Sequence, residues 1–151
     1  MAENRQEPAG PAAIVHSLLL YLLDTNICIY IAKNRPVEVL DRFRRLRYGD
    51  VGMSVITHLE MVYGAWKSQH REANLRTLEA LEKVIPVLPL DANVGHHYGR
   101  VRAELESKGS PIGAYDLLIA AHALAQGLTL VTNNVREFRR VPELKIENWA
   151  Q

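Results

Sequence analysis

Three acids in this chain stand where a carboxylate serves packing poorly and cation binding well. Asp24 closes the apolar run Leu18-Leu19-Leu20-Tyr21-Leu22-Leu23. Glu60 falls early in a helical pattern, and Asp116 opens an alanine- and leucine-rich stretch after the loop Ser110-Pro111-Ile112-Gly113. A polar triplet, Thr132-Asn133-Asn134, follows a second apolar run. Acids that converge without a cation raise one another's pKa, and a hard divalent ion removes that penalty. Oxygen donors with no cysteine or histidine cluster favour Mg²⁺, with Mn²⁺ as a substitute, over zinc. Such a site orients a phosphodiester and generates a nucleophile from water. The expected assignment makes Asp24 and Asp116 direct metal ligands. Glu60 either ligates the metal or positions and deprotonates the water. Thr25 and Thr132 orient the carboxylates, and Asn134 supports the shell.

Each of these residues also has an ordinary structural role open to it. Asp24 can cap a helix, Asp116 can stabilise a helix's positive end, Glu60 can sit in solvent, and Thr132-Asn133-Asn134 can form a turn. Their joint placement argues for more. His58 lies near Glu60 but is expected at the surface or in the core, and His122 is expected to be hydrogen-bonded inside a buried helix. The neighbours His96 and His97 do not face each other on a helix. No nucleophile elbow and no phosphate-binding P-loop is present. An aspartyl-phosphate phosphatase would want a second aspartate two residues after Asp24, where Asn26 stands.

The elements that must position these residues alternate. Leu19–Leu23 reads as a strand, and Asn26–Lys33 and Val37–Leu46 as helices. Val51–Val55 is a second strand, with Ser54 or Thr57 capping the helix that carries Leu59, Val62, Tyr63 and Trp66. A helix follows over Arg71–Val84, then a short strand at Val87–Leu90. Asp91 caps a helix that Lys108-Gly109 stops. Tyr115–Gln126 is apolar nearly all round, so it is expected as a buried central helix. Leu128–Thr132 is the fourth strand, Val135–Arg139 a short helical turn, and Leu144–Glu147 the last strand. Alternation of this kind predicts an α/β fold, a three-layer α/β/α sandwich with a mostly parallel sheet. In such a sheet, ligands bind outside the carboxyl ends of the strands. Asp24, Glu60, Asp116 and Asn134 can all fall near that edge.

Length and composition set the outer limits. The 151 residues are enough for one domain with a real core, and 48% hydrophobic against 23% charged residues is ordinary for a globular chain. A net charge of +1 gives no global pull on nucleic acid, so such a partner must be held by local patches. Arg42, Arg44, Arg45 and Arg47 form one basic group; Arg136, Arg139 and Arg140 form another. If both flank the acids, they can hold backbone phosphates. The lone Cys28 excludes an internal disulfide and is expected to be a buried, inert thiol. Residues 1–18 read as a disordered extension or an expression remnant, and 19–151 as the folded domain. The apolar run is too short to span a membrane and lacks the basic flank of a signal peptide, which makes a cytoplasmic protein the expectation.

Four segments also carry a resemblance: Leu23-Asp24-Thr25-Asn26; Ile56 to Ala65; Pro111 to Ala120; and Thr132-Asn133-Asn134-Val135-Arg136-Glu137-Phe138. Together they resemble PIN-domain ribonucleases, and more narrowly the VapC toxins of bacterial toxin–antitoxin pairs. The likeness runs from about Leu20 to Trp149, and Ile146-Glu147-Asn148-Trp149 is similar to that subgroup's end. No one motif is specific; four in order at compatible spacings are. The resemblance implies that 19–151 is a PIN-like nuclease domain, an α/β/α sandwich with Mg²⁺-dependent endoribonuclease activity. It also implies inhibition by a cognate VapB antitoxin and a homodimer. The subgroup it most resembles cuts initiator tRNA in the anticodon loop, inhibiting translation. By motif match Asp24 and Asp116 correspond to metal-binding acids and Glu60 to a third catalytic acid. One departure stands out: many PIN domains have an aspartate where this chain has Asn134. That amide supports a rival reading, a non-catalytic RNA- or partner-binding module on the same fold, unless Glu137 one turn later supplies the missing carboxylate.

Overall fold

A computed structural model describes residues 19–151 of the chain. The extension expected over residues 1–18 lies outside the described residues. Five short strands form one sheet: β1 (Tyr21–Leu23), β2 (Val51–Ser54), β3 (Val87–Leu88), β4 (Thr129–Val131) and β5 (Ile146–Glu147). Their order is β3-β2-β1-β4-β5, and every pair is parallel. The helices are α1 (Thr25–Ala32), α2 (Val37–Arg44), α3 (Val55–Lys67), α4 (Arg71–Val84), α5 (Ala92–Ser107), α6 (Ala114–Gln126) and α7 (Val135–Phe138).

The period-two geometry of the strands explains the layers. On β1, Leu22 points into one core and Leu23 into the other; on β4, Leu130 and Val131 divide the same way. The first core joins Leu22 and Leu130 to Val101 and Leu105 of α5 and to Leu117, Ile119, Ala120 and Ala123 of α6. The second joins Leu23, Val51, Met53 and Val131 to Ile27, Cys28 and Ile31 of α1, Val39 of α2 and Leu81 of α4. Both sheet faces are therefore covered, which is why the central strands read as unbroken apolar runs rather than alternating ones. The result is a three-layer α/β/α sandwich.

The observed boundaries differ from the expected ones by a residue or two. The expected first strand loses Leu19 and Leu20, the third ends at Leu88 before Pro89, and the last keeps only Ile146 and Glu147. Strand two stops at Ser54, whose hydroxyl accepts from the Ile56 N–H and caps α3 at once. Gly127, at φ 66°, ends α6 in the left-handed conformation that glycine adopts freely. Among the described residues, no helix is long and apolar enough to cross a membrane.

Candidate metal centre at the carboxyl edge of the sheet

The chain runs from β1 to β2 on one side and later places β4 on the other side of β1. The crevice between the carboxyl ends of β1 and β4 is thus a topological switch point, where open α/β sheets bind ligands. Asp24 leaves β1 there and Thr132 leaves β4. The Asp24 N–H donates to the Val131 carbonyl at 2.9 Å, which continues the ladder into the site. The Asp24 carboxylate is buried, 4% exposed. One oxygen accepts from the Thr25 N–H at 2.8 Å and caps α1; the other accepts from the Thr132 hydroxyl at 2.7 Å. The capping role and the site role are therefore filled by different oxygens of one group.

The other acids arrive on helices. Glu60, on the second turn of α3, accepts from the Thr25 hydroxyl at 3.2 Å, and that hydroxyl also contacts Thr57 Oγ1 at 3.1 Å. Thr25 thus links the first two acids. Asp116 lies in the first turn of α6 and shares a hydrogen bond with Glu137 of α7. Glu137 also accepts from the Gly113 N–H and from Asn134 Nδ2, each at 2.8 Å. The four carboxylates sense one another. Burial pushes Asp116 up to about 7, reinforced by the charges of Asp24, Glu137 and Glu60 and by its hydrogen bond to Glu137. Burial also raises Asp24 and Glu60, against the hydrogen bonds that Thr132 and Thr25 supply. Glu137 alone goes down, chiefly through the Gly113 N–H and further through Asn134, Asp116 and Arg140. The two neighbouring carboxyls are thus pushed in opposite directions, Asp116 up and Glu137 down.

The structure brings Asp24, Glu60 and Asp116 into one electrostatic group and adds Glu137 to it. Asn134 joins by its amide: the nitrogen donates to Glu137, while its own N–H donates to Thr132 Oγ1 at 3.0 Å. The signal for Glu137 was its place one turn after Asn134. Its importance could not be weighed without knowing that Gly113, 24 residues earlier, donates to it.

Among the described residues no three His, Cys, Asp or Glu side chains already close into a complete ligand group; each acid has a threonine, backbone or carboxyl partner instead. The donor set nevertheless fits a hard divalent cation, being all oxygen, with Asp24, Glu60 and Asp116 raised in pKa by burial and by neighbouring acids. His58 turns away to pair with Glu82 of α4. His122 is fully buried, its Nδ1 2.8 Å from Ser54 Oγ. Cys28 is buried among α1 and α2, where burial raises its thiol pKa.

The two basic groups part company. Arg42 pairs with Glu147 at 2.7 Å and lies over Trp149. Arg44 and Arg47 line a hollow with Val51, the first residue of β2, at the amino edge of the sheet. Arg136 and Arg140 instead line a cleft with Asn134 and Glu137. The condition that both groups flank the acids is therefore not met: in the first group Arg42 is taken up by Glu147 at the end of β5 and Arg44 and Arg47 lie by the start of β2, whereas the second group lines a cleft with Glu137.

Comparison with known proteins agrees with this geometry. Residues 21–144 match the family described as PIN domain. The chain is 47% identical over 133 residues to the tRNA(fMet)-specific endonuclease VapC of Shigella flexneri, covering 88% of this chain and all of that protein. It is 45% identical to Ribonuclease VapC2 of Haemophilus influenzae over the same shares. Among solved structures, the DNA-bound VapBC of Salmonella typhimurium superposes with a TM-score of 0.82 at 45% identity, over 87% of this chain and 98% of that one. VapBC2 of Rickettsia felis, bound to a DNA fragment from its promoter, gives 0.81 at 39% identity over 87% and 99%.

Proposed function

The chain belongs to the PIN-domain family, in its VapC ribonuclease branch, and on that premise we propose that it is a Mg²⁺-dependent endoribonuclease, the toxin of a VapBC-type pair. The substrate we infer is initiator tRNA, cut in the anticodon loop, with arrest of translation as the consequence and a VapB-like antitoxin as the restraining partner. The substrate rests on identity to proteins named tRNA(fMet)-specific endonucleases. The antitoxin rests on likeness to VapBC complexes.

The observation that carries the nuclease reading is the four-acid group at the switch point, with Asp116 raised to about 7 by burial and by its three acidic neighbours. Asp24 and Asp116 would hold the ion, with Glu60 or Glu137 completing the set. A divalent ion held there would offset the charge of the acids and would supply Lewis-acid activation of the phosphodiester. The chain's own groups do the rest. Thr132 and the Thr25 N–H fix both oxygens of Asp24, so its orientation is set before substrate arrives. Glu60, held by the Thr25 hydroxyl and raised by burial, would take a proton from the attacking water. Asn134 holds Glu137 by its amide, which supports Glu137 as the source of the carboxylate that the family pattern puts at position 134.

The test is cleavage of purified tRNA with Mg²⁺ and with chelator. Asp24→Asn and Asp116→Asn should each lower the rate by on the order of 10³-fold, the scale of a lost metal ligand, while circular dichroism shows an intact fold. Full cleavage by either variant, or equal cleavage in chelator, sinks the assignment.

A further inference from the structure

Arg136 and Arg140 line a cleft of about 390 Å³ with the Asn134–Glu137 pair. Arg140 is anchored: its Nη1 donates to the Pro111 carbonyl at 3.0 Å, in the loop that leads to Gly113 and Asp116. Arg136 is exposed and makes no ion pair or side-chain hydrogen bond among the described residues. Glu137 puts one negative charge into the cleft, but its oxygens are already taken up by Gly113 N–H and Asn134 Nδ2. Two guanidinium groups against one occupied carboxylate leave the cleft net positive at the rim of an otherwise acidic site.

We propose that Arg136 and Arg140 form a phosphate subsite that grips an RNA backbone phosphate flanking the scissile one. Glu137 is the wall between the two positions. On one side it shares a hydrogen bond with Asp116; on the other it lines the arginine cleft. A strand crossing that wall meets acids, suited to a cation and the reacting phosphate, and then arginines, suited to a phosphate directly. Arg140 is a fixed wall of the subsite and Arg136 the free arm that closes on the ligand. The subsite also counters a general difficulty, since four acids repel the very backbone that must approach them. In the other basic group Arg42 is already paired with Glu147, and Arg44 and Arg47 line a hollow at the start of β2.

This inference rests on the nuclease reading for its substrate class, and binding separates the two. Labelled single-stranded oligoribonucleotide is titrated by fluorescence anisotropy into the Asp116→Asn chain, with and without Arg136→Ala, across a salt series in Mg²⁺. Loss of Arg136 should weaken binding about ten-fold and flatten the salt slope by about 0.7, the increment for one single-strand phosphate contact; Arg136→Lys should restore the slope. A neutral methylphosphonate walked along the RNA should, at one position next to the cut site, weaken binding to the parent about ten-fold and weaken the Arg136→Ala chain, which keeps Arg140, much less. Arg44→Ala is the control and should change nothing. Unchanged affinity and slope in Arg136→Ala, or a methylphosphonate effect that simply adds to it, overturns the subsite. A wild-type chain that binds RNA in this arginine-dependent way and never cuts it would instead overturn the nuclease reading and leave the subsite standing.

Discussion

The two ends of the central sheet hold charge in different ways. At the carboxyl end, the acids are buried or half-buried, and each is held by a partner from another element: Thr132 from β4 on Asp24, Thr25 from α1 on Glu60, Gly113 from the α5–α6 loop on Glu137. At the amino end, Arg44 and Arg47 are exposed side chains around an apolar hollow of Phe43, Leu46, Tyr48, Val51 and Val84. Neither makes an ion pair among the described residues. Equal density of charge in the sequence thus means two things. Where strands end beside one another, like charges are forced together and held; on an outward helix face, like charges spread into water at little cost. Only the first arrangement stores the repulsion that a cation or a substrate can relieve.

Substitutions that break or sharpen this contrast follow in order of size. Thr132→Val strikes the carboxyl end hardest, because its hydroxyl is fully buried and serves both Asp24 Oδ2 and the Asn134 N–H. Leaving those groups unmet should cost about 1–3 kcal/mol, read as a fall in the urea midpoint at unchanged slope. An unchanged midpoint would mean that the site is not rigidly tied to β4.

Asp116→Asn tests the stored repulsion. Its carboxyl titrates near 7 in the fold against 3.8 in the reference state, so the folded chain holds the proton more tightly. In chelator, stability should therefore fall as pH rises from about 4 to about 7 and level off above. The raised acids Asp24 and Glu60 add slope of the same sign, and the lowered Glu137 opposes it. The asparagine variant should show a shallower slope and, at pH 8, gain about 1 kcal/mol after allowance for solvent screening of this half-exposed group, seen as a thermal midpoint about 3 °C higher. A variant less stable than the parent at pH 8 would show that Asp116 is held by attraction rather than repelled. At the amino end, Arg44→Ala and Arg47→Ala should move stability by less than about 0.5 kcal/mol and leave tRNA cleavage within about two-fold of the parent, measured in the same assays. A large effect there would erase the distinction between the two ends.

Much of the fold was legible in the residues. Each strand and helix is where its periodicity puts it, and the errors are at ends, where one residue decides: Ser54 caps α3 and so cuts β2 short, and Pro89 stops β3. The acids at the strand ends and in the helix starts were legible for the same reason, since a carboxylate that closes an apolar run has few roles. The basic groups were not separable by sequence, because a helix's amphipathic pattern gives its inward face and not the sheet edge toward which it runs. Nor was the division of labour between Asn134 and Glu137, which depends on the Gly113 N–H and the carboxyl of Asp116 arriving from elsewhere.

By itself, then, the sequence determined the order of elements, the two-faced burial of the strands and the identity of the acids, because these follow from local spacing and side-chain chemistry. The tertiary structure alone decided that β4 lies beside β1, so that Thr132 meets Asp24 across 108 residues of chain. It also decided that Glu137 joins the acidic group and that Arg136 and Arg140 line a cleft beside it. Local periodicity says which face of an element is buried. Which neighbours share an edge is settled only when both faces of the sheet are packed at once.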